Sequence, residues 1–342
     1  MTSDGWRDGD DPAARRAPIL VTGAAGFIGA AVVRALRARG AIVRAFVRAP
    51  AADRLADWDE VARGDMRDRA AVAEAMCGVG AVFHIAADYR LWARDPREIG
   101  ATNVEGARIV MEEALRARVG RVVYTSSVAT LGRAEGPAVE TDRLAADEAI
   151  GAYKRSKILA EHVVETLAAR EGLPVVIVHP STPVGPRDRR PTPTGRIVLE
   201  AARGRIPAFV DTGLNVVHVD DVAQGHLAAF DRGRIGERYI LGGENVALSD
   251  LLAAVAACVG RSPPRLRLPH AVAYPIAVGA EAIARWTGRE PLATRDGLRM
   301  SRRFMYYDDA KARRDLGYAA RPWREGVVDA VDWYDKAGYL KR

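Results

Sequence analysis

Ile19-Leu20-Val21-Thr22-Gly23-Ala24-Ala25-Gly26-Phe27-Ile28-Gly29 decides the fold. Ile19–Val21 is a short apolar run. Beyond the glycines, apolar residues recur at 28, 32, 35 and 36 as far as Gly40. The first pattern is a strand and the second a helix, and another strand follows at Ile42–Val47. The glycines at 23, 26 and 29 stand in the turn between them, spaced Gly-x-x-Gly-x-x-Gly. Gly23 allows the tight turn, and Gly26 lets a pyrophosphate approach the backbone beside Phe27 and Ile28. Gly29 lets the helix pack close to the sheet, with the helix N-terminus facing the anion. The expected fold class is α/β: a Rossmann-type, doubly wound, mostly parallel sheet with a dinucleotide at its carboxyl edge. A smaller, mostly helical C-terminal substrate domain completes the expectation.

The bulk composition agrees. The chain has 342 residues, 49% hydrophobic and 28% charged, with a net charge of +7. That fits a soluble globular protein with one large core or two. The arginines are scattered among Asp and Glu with no like-charge block, so no nucleic acid partner is expected. Cys77 and Cys258 have neither metal nor redox spacing, and read as free thiols in a reducing cytoplasm, with no metal site. Residues 1–17 are polar, rich in Gly and Asp, and are expected to be a disordered extension rather than a signal peptide. The most apolar later stretch, His270 to Trp286, is interrupted by Pro275 and Glu281 and is too short to span a bilayer. It reads as a packed helix, with surface contact to a membrane as the alternative. The domain boundaries expected are 18–180 for the dinucleotide-binding part, with a later contribution from about 216–242. Residues 181–215 and 243–342 would form the substrate-binding part.

Further candidates fall at strand ends, where ligands bind in such sheets. The second strand ends Phe46-Val47-Arg48 with no carboxylate before Asp53, so Arg48 suits a ribose 2′-phosphate; a solvent-facing arginine is the alternative. NADP is therefore favoured over NAD. Asp65 and Met66, in Gly64-Asp65-Met66, are expected at the cofactor, Asp65 placed to accept from an adenine amino group or to cap the following helix. Ala86 and Ala87, ending the run Val79–Ile85, are small enough for a ribose to lie against the backbone. Tyr89 and Trp92 in the next loop line a substrate pocket or anchor the loop. Ser126-Ser127 ends the strand Val122–Thr125. Tyr153 and Lys157, four apart in an apolar-periodic run, share one helix face. A cation near the phenol favours the phenolate. The chain has only five lysines against a large excess of arginine, although Lys154 is another of them.

Together, Thr22-Gly23-Ala24-Ala25-Gly26-Phe27-Ile28-Gly29, Gly64-Asp65, His84-Ile85-Ala86-Ala87, Thr125-Ser126-Ser127 and Tyr153-x-x-x-Lys157 resemble the extended short-chain dehydrogenase/reductase family. The resemblance implies Tyr153 as general acid/base, with Lys157 lowering its pKa and holding the nicotinamide ribose. Ser127 would bond the reacting oxygen, and Asn103 would support the site. Arg48 looks like the NADP-using dihydroflavonol reductase branch. A narrower resemblance is to the bacterial proteins called hopanoid-associated sugar epimerases. It rests on Ala87–Pro96, Gly151–Lys157, His179–Pro186, Pro191–Arg196, Asp211–Asp221 and Leu241–Asn245, and implies a role beside hopanoid lipid biosynthesis.

The second half is less informative. His179-Pro180-Ser181-Thr182 follows the sixth strand, and in the resembling family such a loop covers the nicotinamide, with Pro180 and Thr182 as contacts; Ser181 and Thr182 would bond the carboxamide or satisfy loop backbone. Thr194 belongs to a basic, Pro/Thr-rich loop assigned to the substrate pocket with Tyr89, Trp92 and Asn103. Asp220 is expected to cap a helix, Ser249 to cap another, and His218 to be structural. The arginines at 299, 302 and 303 could hold a substrate phosphate or form a solvated surface. Three functions stand open: an NADP(H)-dependent oxidoreductase acting on a small molecule, a nucleotide-sugar epimerase or dehydratase retaining NAD(P), and a non-catalytic dinucleotide-binding regulator. The substrate would be a sugar or a hopanoid intermediate, and a homodimer is plausible.

Overall fold

The computed structural model describes residues 17–48, 57–93, 95–133, 135–287, 291 and 293–341; the extension expected at 1–17 lies outside these but for Ala17. In chain order the first half comprises β1 (Ile19–Thr22), α1 (Phe27–Ala38), β2 (Val43–Val47), β3 (Glu60–Arg63), α2 (Arg69–Ala75), β4 (Ala81–His84), α3 (Arg97–Gly100), α4 (Gly106–Arg116), β5 (Arg121–Thr125) and α5 (Gly151–Glu171). The second comprises β6 (Val175–Pro180), β7 (Thr182–Val184), α6 (Pro193–Ala202), β8 (Ala208–Phe209), β9 (Gly213–His218), α7 (Val219–Arg232), β10 (Arg238–Leu241), β11 (Glu244–Ala247), α8 (Leu248–Cys258), β12 (Leu266–Arg267), α9 (His270–Thr287), α10 (Arg295–Met300), α11 (Ala310–Leu316) and α12 (Trp323–Lys336). A π-helical turn, Ala101–Glu105, joins α3 to α4.

Seven strands form one sheet in the order β10-β6-β5-β4-β1-β2-β3, and every neighbouring pair is parallel. Residues β1 and β4 to β6 are almost wholly buried, because helices cover both faces. Alternation along β1 sorts its side chains: Ile19 and Val21 pack with Val32 of α1 and Leu227 of α7. Leu20 packs on the other face with Val110 of α4 and Val164 of α5. A separate three-stranded sheet, β11-β9-β7, stands with α6, α8 and α12 around their own apolar cluster, and β12 and β8 form a two-stranded pair.

Helix caps depart from the sequence in three places. Asp68, not Asp65, caps α2, accepting from Ala70 N at 3.0 Å. His218, not Asp220, caps α7: its Nδ1 accepts from Asp220 N at 3.0 Å, because β9 runs unbroken to His218 and the cap falls at the strand's end. The Asp220 carboxylate instead pairs with Arg34 at 3.1 Å. Helix α8 begins at Leu248 with Ala247 at its cap position, which puts Ser249 inside the first turn. Helix α9 runs straight through Pro275 and Glu281.

Glu161 seats α5 on the sheet. Its buried carboxylate accepts from Ser126 Oγ, lies 3.0 Å from His179 Nε2 and 3.5 Å from Arg238 Nε, and so joins β6 and β10 to the helix. Burial acts to raise its pKa, but the His179 ring, the Ser126 hydroxyl and the Arg238 guanidinium prevail and hold it at about 2. The folded pKa is thus below the ordinary 4.5, so the stabilisation is present above about pH 4.5 and is lost as pH falls towards 2. Such a shift corresponds to about 3 kcal/mol. Glu161→Gln should lower the urea midpoint at pH 7 and flatten the fall of stability between pH 4.5 and 2; an unchanged acid limb would remove Glu161 as its source. Gly29 tests the packing above the sheet. A Cβ at 29 would overlap Gly23 O, whereas one at Gly279 meets nothing. In denaturant titrations Gly29→Ala should cost about 1–3 kcal/mol, while Gly279→Ala should gain up to about 1 kcal/mol.

Candidate active site

Strand order reverses between β1 and β4: the chain leaves β1 for α1 on one face of the sheet and β4 for α4 on the other, the switch point at whose carboxyl edge such sheets form a crevice. Gly23 turns the chain out of β1 with φ of +71°, and a Cβ on it would lie 2.8 Å from Ala86 N and Cα. Thr22 sets this approach. Its Oγ1 accepts from Ile85 N at 3.1 Å and Ala86 N at 3.2 Å, and lies 3.0 Å from His84 Nδ1. Gly26, at the N-cap of α1, supplies no side-chain acceptor, and the first turn holds no acid. The positive end of the helix is therefore uncompensated by its own chain. A backbone cradle that only glycine fits, under a bare helix N-terminus, suits a pyrophosphate, with Phe27 and Ile28 as the first helical residues.

Arg48 follows buried Val47 and is exposed at the end of β2. Among the described residues no ion pair of Arg48 occurs, yet its charge helps to depress the carboxyls of Asp65 and Asp88. Asp65 keeps part of its carboxylate exposed, but a cation already shares it. Arg67 clasps both its oxygens, Nε to Oδ1 at 2.9 Å and Nη2 to Oδ2 at 2.7 Å, and these bonds hold its pKa at about 2. Met66 is buried against α4, where a Cβ on Gly106 would lie 2.7 Å from Met66 Cγ. Ala86 and Ala87 lie half-buried at the crevice.

Asn103 corrects its assignment to a substrate pocket. From the π turn, its Oδ1 accepts from Asp88 N at 2.7 Å, while its Nδ2 donates to Asp88 O at 2.9 Å and Ser156 Oγ at 2.8 Å. Both donors are spent clamping the loop after β4 to α5. Tyr89 is exposed and Trp92 half-buried on that loop.

Ser127, Tyr153 and Lys157 converge past the end of β5. Ser127 caps the short 3₁₀ turn Val128–Thr130, accepting from Ala129 N at 3.1 Å. Its hydroxyl stands close enough to the Tyr153 phenol to pull the phenol's pKa down, but burial is the larger influence and the net shift is upward. The expected lowering by Lys157 is thus absent. The reason is visible: Lys157 Nζ donates to Thr125 O at 2.8 Å and lies 5.0 Å from the centroid of the Tyr124 ring. Burial brings the ammonium's own pKa down to about 8, against an opposing pull from Glu161 one turn further along α5. Tyr124 in turn stacks on His84 at 5.7 Å, whose imidazole is held at about 3 by burial and then by Lys157.

Later segments carry the remaining candidates, and α10 reaches the start of α5. Pro180 ends β6 paired with Leu241, and Thr182 begins β7 opposite Val216. Between them Ser181 Oγ is buried without a hydrogen-bond partner among the described residues. Thr194 stands half-buried in the first turn of α6, behind the Thr192 cap. A Cβ on Gly151 would lie 3.1 Å from Asp296 Oδ2, so α10 packs on the start of α5. Arg303 lies near enough to Lys154 to add to the burial that lowers its pKa. Thr22, Glu161 and this α10 segment were missed from the sequence. Glu161 alone left a signal there, continuing the 153, 157 spacing.

Residues 19–242 match the family model described as NAD dependent epimerase/dehydratase family. A "Putative dihydroflavonol 4-reductase" of Synechocystis sp. is 42% identical over 94% of this chain and 96% of its own. "Sterol demethylase protein B" of Methylococcus capsulatus is 38% identical over 94% and 99%. The crystal structure of gox2253 superposes with a TM-score of 0.85 at 49% identity, covering 95% of this chain and 100% of that one. The seven-stranded parallel sheet, the crevice at its carboxyl edge and these similarities agree: the chain belongs to the NAD dependent epimerase/dehydratase family, within the extended short-chain dehydrogenases/reductases, and is an NAD(P)-dependent enzyme.

Proposed function

We propose that the enzyme is an NADP(H)-dependent oxidoreductase acting at a carbinol or carbonyl carbon, with Tyr153 as its acid/base. The observation that carries it is the Tyr153 phenol beside the Ser127 hydroxyl, one helical turn from the Lys157 ammonium. When bound, a nicotinamide supplies or accepts the hydride. The chain does the rest. Gly23, Gly26, Phe27 and Ile28 receive the pyrophosphate, Arg48 the 2′-phosphate, and Ala86 and Ala87 a ribose. Lys157 holds the nicotinamide ribose, with Pro180 and Thr182 at the nicotinamide's edge. A phenol whose pKa burial raises stays protonated at neutral pH, as a proton donor to a carbonyl must be. Ser127 gives that oxygen a second hydrogen bond as charge develops on it.

Substrate recognition falls to residues 181–215 and 243–342, with Tyr89, Trp92 and Thr194 at the pocket. The relatives named as a dihydroflavonol reductase and a sterol demethylase component both support a polycyclic substrate. With the resemblance to hopanoid-associated proteins, they support a hopanoid intermediate. The family's own description favours a second possibility, an epimerase that keeps its cofactor and returns hydride to either face of one carbon.

Cofactor analysis separates the two. The purified enzyme should bind NADPH more tightly than NADH by roughly tenfold or more, and Arg48→Asp should abolish the preference. Tightly retained NAD with no NADPH preference would sink the reductase. Tyr153→Phe should lower kcat by about 10²–10⁴ while leaving the Kd for NADPH within about twofold. Undiminished turnover by this variant would remove Tyr153 from the chemistry.

A further inference from the structure

Helix α9 is built inside out. Its carboxylate, Glu281, faces inward and is 8% exposed, accepting from Arg295 N and Arg295 Nε, both at 2.7 Å. Ala273, Ala277 and Ala284 share that inner face. The solvent side carries Val272 at 51% exposure, Ile276 at 57%, Ile283 at 63% and Trp286 at 87%, with Gly279 among them. Positions 272, 276, 279, 283 and 286 fall on one stripe of the helix. At 1.5 Å per residue the stripe is roughly 20 Å long. A surface helix normally turns its charge to water and its apolar side to the core. A contiguous run of large exposed apolar side chains marks a contact surface.

One end of the stripe is basic. Ser301 Oγ lies 3.1 Å from His270 Nε2, and Arg299 Nη2 donates to Tyr274 OH at 3.4 Å, so the segment after α10 runs beside the start of α9. Arg302 and Arg303 are exposed there, without a carboxylate partner among the described residues, and Phe304 beside them is 48% exposed. The chain as a whole carries +7.

We infer that α9 docks in the headgroup plane of an anionic lipid bilayer, its apolar stripe among the upper acyl chains and the 302–303 guanidiniums on the phosphates. Trp286 at the stripe's far end is a side chain suited to that boundary. Among the described residues no helix is long and apolar enough to cross a membrane, so the helix lies on the surface rather than spanning it. Charge complementarity favours lipid over a second copy of the chain. A two-fold pairing through this face would bring two arginine rims to a stripe that carries no acid. Docking here is independent of the reaction proposed above. It would place the start of α5, against which α10 packs, close to the bilayer.

Flotation of the full-length protein with vesicles tests this. The protein should float with phosphatidylcholine vesicles containing phosphatidylglycerol, and less with phosphatidylcholine alone. The double variant Ile283→Glu, Trp286→Glu changes only exposed side chains and should keep its melting curve while its bound fraction falls roughly tenfold. Arg302→Glu, or raised salt, should weaken binding to the anionic vesicles selectively. If the double variant unfolds, Arg302→Glu decides alone: unchanged anionic binding overturns the inference. So does failure to float with any vesicle, or a folded double variant that floats as well as the parent. A lipid-indifferent oligomer that the double variant dissociates assigns the stripe to a second copy and also overturns it.

Discussion

The ammonium of Lys157, held 2.8 Å from the carbonyl of Thr125, is the bond on which the site depends. It joins the second turn of α5 to the last residue of β5, and so fixes how far Tyr153, one turn back, stands from Ser127, two residues on. Burying a lone ammonium is costly. The chain meets that cost with the carbonyl, the face of Tyr124 and the carboxylate of Glu161 one turn further along. Glu161 is anchored to Ser126, His179 and Arg238. A stack of polar groups thus descends through the apolar layer between α5 and the sheet, and each member is charged or oriented by the next.

The crevice on the other side of β4 follows from neutral groups instead. Thr22 satisfies the two amides that leave β4 and draws Ala86 against Gly23. No side chain larger than hydrogen fits at 23, so the backbone itself forms the wall of the cradle. The bare N-terminus of α1 then faces the space between them. The glycine cradle and the Ser127, Tyr153 and Lys157 cluster thus lie on opposite sides of one strand.

Much of this could be read in the chain. Glycines at 23, 26 and 29 between a strand period and a helix period announce the turn, because few backbones need all three. Tyr153 and Lys157 were legible because helical spacing alone puts them on one face. What was illegible depended on partners distant in sequence. Asn103 looked available for ligand until Asp88 and Ser156 took its hydrogen bonds. Asp220 lost the cap of α7 to His218 because the strand's end, not the residue's propensity, set where the helix began. The balance on Tyr153 was also hidden, since spacing reports the neighbouring cation but not the surrounding burial.

Strand β10 lies at the edge of the large sheet, next to β6, yet it is made from residues 238–241, some sixty residues after β6. Arg238 at its start is one of the groups that hold the Glu161 carboxylate. On a growing chain, α5 and β6 emerge well before that guanidinium exists. The polar stack beneath α5 is therefore incomplete until the strand from the second half arrives, and a parallel edge strand of such long loop closure is slow to pair. Final setting of the candidate site is a late event in the life of the nascent polypeptide, governed by a residue far downstream of Ser127, Tyr153 and Lys157.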